Sequence, residues 1–185
     1  MNRFSIFLAI SILIVGEAAW AQQIQPKELQ ALVELAFGPS VKTASDGKDA
    51  RFPLYLRAHL NNDNAEDIVI PIHVDKAKGT LDRRGIKPIK IDEAHTVDAS
   101  IGENCLGLAF LRSGSKARPF KSSAVHMAYE CFSGYTKVKA GAQMLTSAEI
   151  PVHNDAILLD LESGGQLLIY WNGGTYVSKY VRRGD

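Results

Sequence analysis

Ala156-Ile157-Leu158-Leu159-Asp160-Leu161-Glu162-Ser163-Gly164-Gly165-Gln166-Leu167-Leu168-Ile169-Tyr170-Trp171-Asn172-Gly173-Gly174-Thr175-Tyr176-Val177-Ser178-Lys179-Tyr180-Val181 is three short apolar runs divided by two glycine-bearing breaks. Runs this short, rich in branched and aromatic side chains and bounded by turn residues, read as strands. Ser163-Gly164-Gly165 joins the first pair. Asn172-Gly173 is the dipeptide favoured in a two-residue hairpin turn with positive φ at both positions, so the last two runs form a hairpin and all three form a meander.

Working outward, the period stays close to two from Phe52 onward. Strands are expected over Phe52 to Ala58, Ile68 to Val74, Ile86 to Ile91, Cys105 to Arg112, Ala124 to Cys131, Ala156 to Leu161, Gln166 to Trp171 and Thr175 to Val181. Asp75 to Arg84 reads as a charged loop, and Arg112 to Ser123, with Gly114 and Pro119, as an exposed hairpin tip. Before the strands, Pro26 opens a run in which Leu29, Leu32, Val33, Ala36 and Phe37 recur at helical spacing until Gly38-Pro39 ends it. The expected fold is mainly β within the α+β class. One N-terminal helix, about residues 26 to 37, packs on a twisted antiparallel sheet or sandwich with hairpins and a C-terminal meander.

The two cysteines, Cys105 and Cys131, suit a pairing in an oxidising compartment. If Arg112 faces Ala124 across a hairpin, Cys105 falls opposite Cys131. That register also sets Gly107 against Tyr129, Ala109 against Met127 and Leu111 against Val125, an apolar or small face throughout, and places His126 opposite Phe110. The bridge would close a loop of about 26 residues and contribute roughly 3.5 kcal/mol on the chain-entropy model.

The N-terminus has one base, Arg3, an apolar run from Phe4 to Val15, and Ala19-Trp20-Ala21 with small residues at alternate positions. Residues 1 to 21 read as a cleaved secretory signal, because a run of about 12 apolar residues is too short for the roughly 20 that span a bilayer. Residues 22 to 185 are then a single β-rich domain, exported to the periplasm or the extracellular space. The 21 Lys and Arg against 20 Asp and Glu are interspersed. This balance excludes a dedicated nucleic-acid binder and, after signal cleavage, an anionic-membrane binder, both of which concentrate basic charge.

The stretch His59-Leu60-Asn61-Asn62-Asp63-Asn64-Ala65-Glu66-Asp67-Ile68 places oxygen-bearing side chains at alternate positions just before an apolar strand. It resembles the calcium-loop hairpin of FG-GAP or VCBS-type repeats, the modules of integrin-α-like propellers, whose pattern is Asp-x-Asn/Asp-x-Asp-Gly-x-x-Asp-Leu/Ile. Residue types agree at Asn61, Asp63, Asp67 and Ile68. His59 replaces the leading acid, and Asn64 replaces the turn glycine, whose positive φ an asparagine also adopts. Tyr170-Trp171-Asn172-Gly173-Gly174-Thr175-Tyr176 is similar to the closing hairpin of short exported bacterial proteins with a single such loop. The resemblance implies a secreted, non-catalytic binding or structural module with Asn61, Asp63 and Asp67 as ligands for weak calcium, and the expected partner of such a module is a protein or glycan. Calcium seeks six to eight oxygens, so two carboxylates and an imidazole predict affinity of about millimolar at best. The same residues also build a tight turn through side-chain to backbone hydrogen bonds with no ion or other cofactor.

Catalytic signatures are absent: there is no Gly-x-Ser-x-Gly elbow, no His-x-x-x-His, and the Gly-Gly pairs lie between strands. The five histidines, His59, His73, His95, His126 and His153, are scattered. The alternative reading is a secreted or periplasmic hydrolase using carboxylates or a histidine in a cleft. His73, just before Asp75, is the histidine to inspect, and two converging acids in a concave pocket would favour that reading.

Overall fold

The structure is a computed structural model and describes residues 23–45, 48, 51–63, 65–73, 89–91, 105–113, 120–126, 131–150 and 153–182. The expected signal segment, Asn64, the loop from Asp75 to Arg84, and Met127 and Tyr129 lie outside the described residues.

Helix α1 (Pro26–Phe37) falls on the range its apolar spacing predicts. Pro26 supplies a preset φ at its first position, the Glu28 carboxylate accepts the Gln25 N–H at 3.1 Å, and Gly38, at φ 108°, sends its N–H back to the Glu34 carbonyl. Two five-stranded sheets follow. The first contains β1 (Lys42–Thr43), β2 (Leu56–Ala58), β3 (Asp67–His73), β5 (Leu106–Ser113) and β6 (Phe120–His126). It runs β1-β3-β5-β6, and β2 shares with β1 the same side of β3. The second contains β4 (Lys90–Ile91), β7 (Phe132–Val138), β8 (Ala156–Leu161), β9 (Gln166–Trp171) and β10 (Tyr176–Arg182), in the order β4-β10-β9-β8-β7. The fold is mainly β. Its ladders are antiparallel apart from the parallel pair of β4 with β10.

Strand alternation sorts the apolar side chains into three cores. Val69, Leu108 and Phe110 of the first sheet meet Ile157, Leu159, Leu167, Ile169 and Tyr176 of the second, so the sheets form a sandwich. The opposite face of the first sheet, with Ile68, Ile70, Ile72, Ala109 and Leu111, is covered by Leu29, Val33 and Phe37 of α1. On the far side, Leu158, Leu168, Tyr170 and Val177 are covered by Leu145 of a short second helix, α2 (Gln143–Ser147), and by Ile150. The layers run helix, sheet, sheet, helix. Because β3 and β8 are buried on both faces, their sequences are nearly continuous apolar runs.

The hairpin of β5 and β6 departs from the expected register. Phe110, not Arg112, faces Ala124; Ala109 faces Val125 instead of Met127; Leu111 faces Ser122 instead of Val125; and His126 faces Leu108. The slip is two residues up to Phe110 and three from Leu111 onward. β6 begins at Phe120, within what reads from the sequence as the hairpin tip, and a register shift lies at Phe110/Leu111.

The disulfide nevertheless forms, for another reason. Cys105 immediately precedes β5 of the first sheet and Cys131 immediately precedes β7 of the second, with their Cα atoms 4.9 Å apart. The bridge therefore staples the two sheets and not the two strands of one hairpin.

β7 was not among the expected strands. Gly134 breaks its pattern, and the structure shows why glycine is there: a Cβ would meet the Arg51 Cβ at 3.3 Å and the Arg51 carbonyl oxygen at 3.4 Å. The segment before β2 crosses to this edge, where the Arg51 carbonyl accepts the Tyr135 N–H at 3.1 Å and the Pro53 carbonyl accepts the Tyr135 hydroxyl at 2.8 Å. Only its end, Leu56–Ala58, is a strand, shorter than the run from Phe52 that its pattern suggests.

Candidate functional site: an aspartate-centred loop anchor

The loop between β2 and β3 is held at both ends by aspartates. At its start, the Asp155 carboxylate accepts the His59 N–H at 3.0 Å and the Ala140 N–H at 2.9 Å, while the Asp155 N–H donates to the His59 carbonyl at 2.8 Å. At its end, Asp67 opens β3 with 0% of its surface exposed. Its Oδ2 accepts the Asn61 amide N–H at 2.7 Å and the Tyr176 hydroxyl at 3.0 Å. Asn61 is 2% exposed, and its Oδ1 accepts the Asp63 N–H at 2.9 Å. That second bond fixes the orientation of the amide, with the oxygen on the turn and the nitrogen toward the carboxylate. Burying an unpaired carboxylate costs several kcal/mol, roughly, so these donors are what allow Asp67 to sit there.

Outside this buried set is a second, half-exposed one. Asp63 Oδ1 accepts the Ala65 N–H at 3.1 Å, and its Oδ2 accepts Nε of Arg112 at 2.8 Å. Partial burial pushes the Asp63 carboxyl up, but Arg112 and the Ala65 N–H outweigh it and leave it below the ordinary carboxylate range. The guanidinium of Arg112 lies 5.8 Å from the centroid of Trp171, which meets Tyr176 edge-on at 5.1 Å; Tyr176 in turn packs against Phe110 at 5.1 Å. Burial raises the Tyr176 hydroxyl well above the ordinary phenol range, so it stays a proton donor to Asp67.

Asn61, Asp63 and Asp67 are thus brought together, while His59 is exposed and is tied in through its backbone. As a donor set for calcium they do not fit. Positive or N–H groups face both carboxylates, and Asn61 presents nitrogen toward Asp67 where a cation requires oxygen. Among the described residues no three His, Cys, Asp or Glu side chains converge as metal ligands would. Sequence reasoning missed Asp155 and Arg112 as partners, and it placed Trp171 and Tyr176 in the closing hairpin without joining them to the loop. Their separations from the loop, 96 residues for His59 to Asp155 and 109 for Asp67 to Tyr176, leave no local signal.

For the hydrolase alternative, His73 is exposed at the end of β3, and its neighbour Asp75 lies outside the described residues. A recess of about 290 Å³ lies on the outer face of the second sheet, is not lined by His73 of the first sheet, and has one acid, Glu149, among its lining residues. Two converging acids do not line it. In comparisons with known proteins, no family model, no curated protein and no solved structure matches the chain.

Proposed function

We propose that the chain is an exported, non-catalytic binding or structural module, working in the periplasm or outside the cell, whose loop from His59 to Asp67 is an ion-free anchor with the outline of a calcium loop. The observation that carries this is the commitment of the loop's carboxylates to internal donors: Asp67 to Asn61 and Tyr176, and Asp63 to Arg112. A loop built this way holds its surface in one shape without metal. The Cys105–Cys131 bridge supports the exported setting, since such bridges persist in oxidising compartments. No described helix is long and apolar enough to cross a membrane.

The test is the thermal midpoint of the oxidised protein in chelator and in calcium up to about 10 mM, beside an Asp63→Ala, Asp67→Ala variant. A ligand specific to the folded state must raise the midpoint with ln(1 + [L]/Kd). We expect no rise. A rise that the double substitution abolishes overturns the ion-free reading, and turnover of nitrophenyl ester or glycoside substrates by the same preparation overturns the non-catalytic one.

A further inference from the structure

The recess on the outer face of the second sheet lies where the end of α2 meets β9 and β10, with Met144, Ser147, Ala148, Glu149, Lys179 and Val181 among its walls. Glu149 has φ 55°, the single non-glycine positive value among the described residues. The cause is local: the Ile150 N–H reaches back to the Leu145 carbonyl at 2.9 Å and the Glu149 N–H to the Thr146 carbonyl at 3.0 Å. This is a helix end of the kind that places a left-handed residue just past the last turn, where glycine is strongly preferred. Glutamate occupies that position against its backbone preference, and its negative charge sits beside the exposed carbonyls of a helix end, where a cation is favoured.

Lys179, from β10, faces the same recess. Its Nζ donates to the Ala148 carbonyl at 3.0 Å, which pins the ammonium at the wall and uses one of its three protons. No ion pair joins it to Glu149, although both line a space of about 290 Å³. Glu149 is exposed and Lys179 half-buried, so both charges are solvated and both are open to a ligand that carries the two opposite charges. Met144, at 37% exposure, and Val181 add apolar surface. A strained backbone position bearing an unpaired charge is where a sequence departs from local rules for function.

We infer that this recess binds a small zwitterion of the amino-acid type, its ammonium held by Glu149, its carboxylate by Lys179 and a short apolar side chain laid on Met144 and Val181. A volume of this size, at the lower end for ligand sites, suits one such molecule and not a glycan chain. The inference rests on the reading of the chain as a binding module, but not on the loop from His59 to Asp67. Calcium binding at the loop leaves it standing, and its own failure leaves the loop anchor standing.

The test is calorimetric titration of the oxidised full chain with L-leucine and L-methionine, beside N-acetyl-L-leucine, which lacks the ammonium, and L-leucinamide, which lacks the carboxylate. Losing one charge-assisted contact should weaken binding roughly tenfold to a hundredfold. Glu149→Gln should abolish the preference for L-leucine over its N-acetyl form, and Lys179→Met the preference over leucinamide. Glu149→Gly keeps the fold, because glycine suits that φ, so its thermal midpoint should equal or exceed the parent's while L-leucine binding falls. Absence of heat with both amino acids up to about 20 mM, where a millimolar site must respond, overturns the inference. So does binding that Glu149→Gln and Lys179→Met leave unchanged.

Discussion

Two turns in this molecule start from the same chemistry and end in different roles. In the loop before β3, Asn61 accepts the N–H two residues ahead; in the turn between β9 and β10, Asn172 accepts the N–H groups of Gly174 at 3.1 Å and Thr175 at 3.0 Å. Locally both are asparagine-led turns. Asn172 stays in solvent and closes a hairpin. Asn61 lies beneath the surface and holds a buried carboxylate, because its second polar group meets Asp67 and, through it, Tyr176 from the far end of the chain. The difference comes from what the amide nitrogen finds, not from the turn.

The strongest way to break this comparison is Asp67→Ala, which removes the shared acceptor and leaves the Asn61 amide and the Tyr176 hydroxyl in the interior with only their long 3.5 Å contact to each other. We expect a loss of roughly 3 kcal/mol in urea unfolding at neutral pH. A loss no larger than that of an exposed turn residue would show that the buried set is not an anchor. Tyr176→Phe keeps the ring packing against Phe110 and Trp171 while deleting one donor, and should cost about 1–2 kcal/mol by the same measurement. Asn172→Ala, in the solvent-facing turn, should cost about 0.5–1 kcal/mol, since water replaces what the side chain supplied.

The smallest effect belongs to the half-exposed pair of Asp63 and Arg112, worth at most about 1 kcal/mol and less in salt. Its sign with pH is fixed by the depressed carboxyl of Asp63. The unfolded chain takes up a proton near pH 3.9, roughly, before the folded one does, so the contribution is complete above that value and is lost as pH falls through the folded one. Asp63→Asn should flatten this part of the acid limb in a series of thermal midpoints, whereas Asn172→Ala should leave it unchanged.

How much of this was legible depended on distance along the chain. Helix α1 and strands β8 and β9 occupy their expected ranges, because apolar spacing and terminal Pro and Gly are local signals. The hairpin of β9 and β10 formed as expected, but its turn spans four residues, Asn172 to Thr175, with positive φ at Gly173 and not at Asn172. Strand β7 was hidden by Gly134, which reads as a break unless the passing Arg51 backbone is known. The short helix α2 offers too few residues for a periodic signal and is placed by Leu145 in its core. The three loop residues Asn61, Asp63 and Asp67 were found from their spacing, yet the partners that give them their roles were not.

By itself the sequence determined that the chain is mainly β, where its helix lies, that its end is a meander and that Cys105 and Cys131 pair. These follow from periodicity, turn chemistry and an even count of cysteines, which act over a few residues or require no geometry. Tertiary structure alone decided that the bridge joins two sheets, that α2 covers the second of them, and that the loop's carboxylates face Arg112, Tyr176 and Asn61. Those outcomes hinge on which distant donors a buried acid meets once the sheets close. A carboxylate carries the same charge whether it faces a cation or a tyrosine hydroxyl, so its own residue type does not reveal the partner.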